Sequence, residues 1–212
     1  MRIDKRWFVA MAILVPPLLV VGNAYGDTRY RWDIVSLSLV GTTPNINPGG
    51  TGSALAQDGS MITVTGSGTF TVGDDDVSGG GTWKTFAADG TTLTGMGGYR
   101  VTRLIRFEVA PGHQTSILRD NIGDGTLTDN RAGLAILGIA YDDGSRGVLA
   151  VSCHLNGNPP PQGPDAAPAS IFEGITASKA FVDYWNRVPP AGSPGTANAN
   201  RTLFHLLGEE EH

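Results

Sequence analysis

Cys153 and His154 stand side by side in the run GVLAVSCHL, a thiol next to an imidazole. A nucleophile and its base must meet side chain to side chain, at about 3 Å. Successive side chains of a strand point to opposite faces. In regular strand the pair therefore cannot meet, and Cys153 reads as a small, buried apolar residue. A second set of residues could do more. Arg103, Glu173, Lys179 and Asp183 are charges set into otherwise apolar patterns, and buried charges need partners. Gathered at the mouth of a barrel, Arg103, Glu173 and Lys179 would orient an anionic or carbonyl-bearing ligand, with Tyr99 and Trp185 as further lining residues. The same place could hold acid–base chemistry of an isomerase or hydrolase, carried by Arg103, His154, Glu173 and Asp183. Kept apart, these charges are structural ion pairs or solvent-facing strand ends. His113 and His205 add possible bases, but neither has a sequence neighbour to orient it.

Metal-binding patterns are incomplete. The run DNIGDG places Asp120 and Asp124 as in the start of a calcium loop, yet the third and twelfth positions are Ile122 and Arg131, where a calcium loop needs an oxygen donor and an acid. Asp74-Asp75-Asp76 offers acidic oxygens in a turn with no spacing rule. No His/Cys spacing points to zinc, and no cofactor is implied. Asn200-Arg201-Thr202 has the spacing of a glycosylation sequon.

These residues must be positioned by β-structure. Thirty glycines with little helical periodicity indicate an all-β chain with many turns. The central stretch is 60–109, which reads as three antiparallel strands. Within 60–72, Ile62, Val64, Phe70 and Val72 alternate with Met61, Thr63, Thr65, Ser67, Thr69 and Thr71. Alternation of this kind places the apolar set inward and the Thr set outward. Gly66 and Gly68 fall on the inward face, the signature of a bend or a close backbone approach. Further along, Tyr99, Val101, Ile105, Phe107 and Val109 fall on the inward face, and so does Arg103.

Three turns share one device. Asp58-Gly59-Ser60, Asp89-Gly90-Thr91 and Asp143-Gly144-Ser145 each lie between strand-like runs, and Asp-Gly at such a place predicts a type I′ hairpin. The first strand is predicted over 30–40; 132–141 reads as a buried strand or a short buried helix, the strand favoured by the hairpin after it, and 147–155 is its partner strand. Residues 42–52, 110–131, 156–169 and 189–200 read as loops or excursions. Residues 170–185 fit a strand or a helix, with the strand favoured. Residues 201–207 read as a closing strand. About eight to ten strands in one domain make a single antiparallel barrel, or alternatively a two-sheet sandwich. The barrel is preferred because it removes exposed edges.

The ends carry other information. Arg2, Lys5 and Arg6 precede an apolar run and the small residues Ala24-Tyr25-Gly26, the plan of a secretory signal peptide. The run is shorter than the roughly 20 residues of a membrane span and contains Pro16-Pro17. Cleavage after residue 26 leaves 186 residues and takes the formal charge from −5 to −7. The division is therefore 1–26 signal peptide, 27–207 β domain and 208–212 acidic tail. Location is secreted or periplasmic, with no membrane span after cleavage. An acidic chain without basic clusters is a poor partner for nucleic acid. Its single Cys excludes an intramolecular disulfide. Oligomeric state has no signal.

The motifs RWDIVSLSL, ITVTGSGTF, GGGTW, GVLAVSCHL, FEGITASKAFVDYWN and NRTLFHLL resemble a group of uncharacterised exported bacterial β-proteins. That resemblance spans most of the mature chain and implies no activity. The segment FEGITA is also similar to the Phe-x-Gly segments of allene oxide cyclase-like and dirigent-like barrels, which implies a barrel with an interior cavity. Two functional expectations follow. One is a non-catalytic exported barrel that binds a small apolar or amphipathic ligand, or a surface component. The other is a barrel-cavity isomerase or hydrolase. A filled interior would leave a structural or interaction role.

Overall fold

The computed structural model describes residues 27–41, 43–110, 119–122, 129–155, 172–190 and 200–210. The expected signal peptide, 1–26, lies outside them. Fourteen strands form one sheet system: β1 (Asp27–Val40), β2 (Thr43–Asn47), β3 (Gly52–Leu55), β4 (Met61–Val64), β5 (Ser67–Val72), β6 (Gly80–Phe86), β7 (Leu93–Ala110), β8 (Arg119–Asp120), β9 (Asn130–Tyr141), β10 (Arg146–Cys153), β11 (Gly174–Lys179), β12 (Val182–Tyr184), β13 (Asn186–Val188) and β14 (Arg201–Glu210). Six of them close an antiparallel barrel, in the order β1-β5-β6-β7-β9-β14 and back to β1. The sandwich alternative does not hold. The strand total exceeds the expected eight to ten because short strands extend the barrel wall into two wings. One wing is β4-β3-β13, and the other is β10-β11-β12.

The 60–72 stretch explains the branching. β4 and β5 run consecutively along β6, from Met61↔Phe86 to Ser67↔Gly80. On their other edge the partner changes, from β3 beside β4 to β1 beside β5. The change falls at Gly66, whose carbonyl accepts the Ile34 N–H at 2.8 Å. A Cβ on Gly66 would lie 2.2 Å from the Tyr99 hydroxyl and 3.0 Å from the Trp32 ring. The inward glycines are thus close-approach positions, as the alternation predicts. The face assignment fails at the ends of the stretch. Met61 is buried and Val72 is partly exposed, since alternation says which side a residue faces and not what covers that side.

Hydrophobic collapse fills the barrel. Tyr30, Phe70, Phe107 and Phe204 come from four different strands, with ring centroids 4.7–6.4 Å apart. Trp32 and Ile34, on the same face of β1 as Tyr30, are fully buried. Aromatic pairs of this kind add roughly 0.5–1.5 kcal/mol each beyond their buried area. These side chains pack the interior of the barrel.

β7 departs from strict alternation. Two register shifts against β9, at Thr102 and at Ile105, each add one residue to β7. Each bulge exchanges the two faces. Tyr99, Val101 and Phe107 face the core as expected, and between the two bulges the inward position passes to Leu104. Ile105 and Val109 are 45% and 48% exposed, and Arg103, expected inward, is exposed.

All three Asp-Gly turns are hairpins, joining β3–β4, β6–β7 and β9–β10. They are not type I′. Gly59, Gly90 and Gly144 have φ of +82°, +70° and +85°, while the preceding Asp residues do not have positive φ. Each glycine N–H bonds the carbonyl three residues back, to Ala56, Ala87 and Tyr141. Each is a type I turn followed by a left-handed glycine; three residues lie between the bonded pairs Ala56/Ser60 and Tyr141/Ser145, and four between Ala87 and Thr92. Each Asp carboxylate accepts a backbone N–H two residues on, from Ser60, Thr91 or Ser145.

The ambiguous 170–185 segment is a hairpin. β11 and β12 pair through Lys179↔Val182, so only Ala180 and Phe181 form the turn. Both have positive φ, +48° and +71°, the type I′ form that Asn-Gly satisfies without strain. Left-handed geometry costs a non-glycine residue about 1–2 kcal/mol. The variant Ala180→Asn/Phe181→Gly should therefore gain about 1–2 kcal/mol in urea unfolding. An unchanged or lowered midpoint would show that the strain is compensated elsewhere in the hairpin. The Phe181 ring makes no offsetting burial, being fully exposed.

Candidate functional site

Glu173 anchors the site. It directly precedes β11, and its carboxylate is held from two sides by backbone. Oε2 accepts the His154 N–H at 2.6 Å, and Oε1 accepts the Thr202 N–H at 2.7 Å. The Thr202 hydroxyl adds a bond at 3.2 Å. One side chain thereby fastens the end of β10 and the start of β14 to the entry of β11. Burial raises the Glu173 pKa, and the His154 and Thr202 N–H groups and nearby Arg201 offset this only in part, leaving it at about 7. Desolvation of a carboxylate acts in this direction, and hydrogen bonds to the charged form act against it.

Beside Glu173 lies a cavity of about 530 Å³ at the seam where the wings meet, lined by Phe172, Glu173, Trp185, Asn186, Arg187 and Asn200 among others. The wings approach closely here, because a Cβ on Gly52 of β3 would lie 2.7 Å from Ile175 of β11. Asn200 fixes the third side. Its backbone is left-handed, at φ +51°, and its amide accepts from Ser53 N and donates to the carbonyls of Ser53 and Val188. With the amide so engaged and the residue buried, the sequon asparagine has no free nitrogen to present.

The cavity has two characters. Phe172 and Trp185 are 68% and 54% exposed and offer apolar ring surface. Arg187 is half-buried in β13. Its Nε is buried and donates to no protein group, and burial lowers its pKa, with the Glu173 charge acting against that. Arg187 lines the cavity beside these rings, and a guanidinium in such a place can receive a carboxylate or carbonyl.

The sequence candidates disperse. Glu173 and Trp185 line the cavity, and His154 adjoins it through its backbone N–H. Arg103 stands exposed on β7, and Asp183 is exposed at a second hollow lined by Arg146, Ser178 and Phe181. Lys179 is buried against the other end of the wing. Its ammonium pairs with Asp143, bonds Ser145 at 3.1 Å, and lies 4.1 Å and 4.9 Å from the ring centroids of Trp83 and Tyr141. The Lys179 bond holds the Asp143 carboxyl well below its ordinary range. Tyr99 is buried with its hydroxyl on the Thr65 carbonyl. Lys179 and Tyr99 therefore stabilise the fold away from the cavity, and the four expected acid–base residues do not share one site. Arg187 and Phe172 were missed from sequence. Phe172 had a signal in its position one residue before Glu173; Arg187 had none, because its place depends on β13 pairing with β3.

His205, which lacks an orienting neighbour in sequence, gains one in space. Its Nε2 is 2.6 Å from Asp120 Oδ2, with both side chains nearly or fully buried. Asp120 belongs to β8, which pairs in parallel with β2 and lies over β14. Asn130 faces His205 in register across β9 and β14, and Arg31 lies opposite His205 across β1. Arg31 grips Asp33 at 2.7 and 3.0 Å. Among the described residues, no group of three or more His, Cys, Asp or Glu could hold a metal, and Asp120, proposed from its spacing, is engaged by His205. Asp124 and His113 lie outside the described residues.

Cys153 is fully buried, and burial first, then the Glu173 charge, raises its thiol well above the ordinary range. It should react with an aromatic disulfide reagent only at the rate of unfolding, since the thiolate is the reactive form. Labelling within seconds in native buffer would place it on the surface. Compared with known proteins, the chain matches no family model, no curated protein and no solved structure.

Proposed function

We propose that this is an exported, non-catalytic β-barrel protein that binds a small amphipathic ligand at the seam between its wings. One observation carries the reading: a single cavity combines exposed Phe172 and Trp185 rings with the half-buried Arg187. Rings would cover the apolar body of a ligand, and the guanidinium would fix its polar end. The volume lies within the range of about 300–1,000 Å³ common for small-molecule sites. The charged, apolar and small-residue plan of 1–26 supports export to the periplasm or medium.

The packed barrel favours a second reading, a structural or interaction protein without a ligand. Titration with uncharged N-phenyl-1-naphthylamine separates the two. Saturable fluorescence enhancement with about one site, weakened roughly tenfold or more in Trp185→Ala, is the expected result for a ring-lined site. Absence of saturable binding would reject the ligand reading and leave the structural one.

A further inference from the structure

Glu173 and Arg187 face the same cavity but are not bonded to each other. Both Glu173 oxygens are taken by the His154 and Thr202 N–H groups, and Arg187 makes no ion pair among the described residues, keeping a buried Nε without a partner. The cleft thus holds one cation and one acid that compete for the charge of any ligand.

We infer that protonation of Glu173 turns this cleft from charge-balanced to cationic, so that it captures anionic amphipathic ligands more tightly in mild acid than above neutrality. The inference rests on the ligand-binding reading above and adds the charge of the ligand and its control. Ionised Glu173 repels an incoming carboxylate and offsets Arg187; neutral Glu173 does neither. Its titration near pH 7 puts the change within an accessible range. Other charged or titratable residues around Glu173 are Arg201, Arg187, Cys153 with its buried thiol, and His154, whose backbone N–H it accepts. The arginines keep their charge throughout, and burial keeps the Cys153 thiol neutral, so Glu173 is the group whose charge the test follows.

A matched pair of probes tests this. N-phenyl-1-naphthylamine and 1-anilinonaphthalene-8-sulfonate share their ring system, and only the second is anionic. Full-length processed protein is titrated with each between pH 5.5 and 8.5, with near-ultraviolet circular dichroism recorded alongside. The expected result is an affinity for the anionic probe about tenfold higher at the acid end, from the loss of one neighbouring charge. Affinity for the neutral probe stays flat. This comparison needs no variant, so it survives if Glu173 substitutions fail to fold. Where they fold, Glu173→Gln flattens the anionic profile and His154→Gln preserves it, while Arg187→Gln weakens the anionic probe alone. Equal pH dependence for both probes, or a flat anionic profile, overturns the inference while leaving the ligand site intact. Failure of both probes to bind rejects the site and the inference with it.

Discussion

His205→Leu should lower the free energy of unfolding by about 3–5 kcal/mol, the usual cost of leaving a buried charge without its partner. The reason lies on the outer face of the barrel. β8 is Arg119–Asp120, and among the described residues it is tied down by its parallel ladder to β2, the Asn121 N–H to the Ile46 carbonyl, and Asn121 to Asn47. His205–Asp120 is the buried link from that strap to β14. Burial acts to raise the Asp120 pKa, yet the His205 bond and the Ile122 N–H bring it below its ordinary value. A lowered folded-state pKa contributes stability above the unfolded value, lost as pH falls through the folded one. The His205 link is therefore expected to hold at neutral pH and to weaken only below about pH 4. Asp33 has the opposite sign. Burial raises its pKa despite Arg31, so its contribution is present below the unfolded value and is lost as pH rises through the folded one. Urea midpoints for wild type, His205→Leu, Asp120→Leu and the double variant give the coupling. The double variant should be less destabilised than the sum of the singles, because neither buried group is left unpaired. A His205→Leu midpoint equal to wild type would mean that β8 is held by its backbone ladder alone.

Gly68→Val should cost at least about 3 kcal/mol, the upper end of ordinary overpacking. A Cβ there would stand 2.2 Å from the Ser78 carbonyl oxygen, 2.7 Å from Gly79 Cα and 2.8 Å from the Trp32 nitrogen. Two of those atoms are backbone of the segment that leads into β6 and cannot rotate away. Valine's better strand propensity, within a scale of about 1 kcal/mol, does not offset this. Thr69→Val is the control on the other face. Its hydroxyl meets the Ser78 hydroxyl at 2.9 Å in an exposed pair, so the loss should stay below about 1 kcal/mol. Thr65→Val, which also removes the acceptor for the Thr82 N–H, should cost somewhat more than Thr69→Val. Guanidinium midpoints for the three proteins check the order. A neutral Gly68→Val beside a damaging Thr69→Val would reverse the two faces of this strand.

Residue types and their order determined the all-β class and the barrel, because alternation, Asp-Gly turns and inward glycines are local signals that survive in any packing. They also determined that Cys153 is core, since its run is apolar and its imidazole neighbour faces away. The turn type was missed because Asp-Gly serves more than one hairpin geometry, distinguished by a loop length that only pairing reveals. Arg103 was misplaced because a bulge leaves no mark in composition, yet each one exchanges the two faces of β7. Glu173 and Trp185 were legible as charged and aromatic intruders in a strand-like pattern. Their meeting with Arg187 was not, since β13 reaches them only through its pairing with β3, far away in sequence. The same holds for His205 and Asp120, 85 residues apart. Tertiary structure alone decided these contacts, because a partner for a buried charge is chosen by which strands become neighbours when the barrel closes.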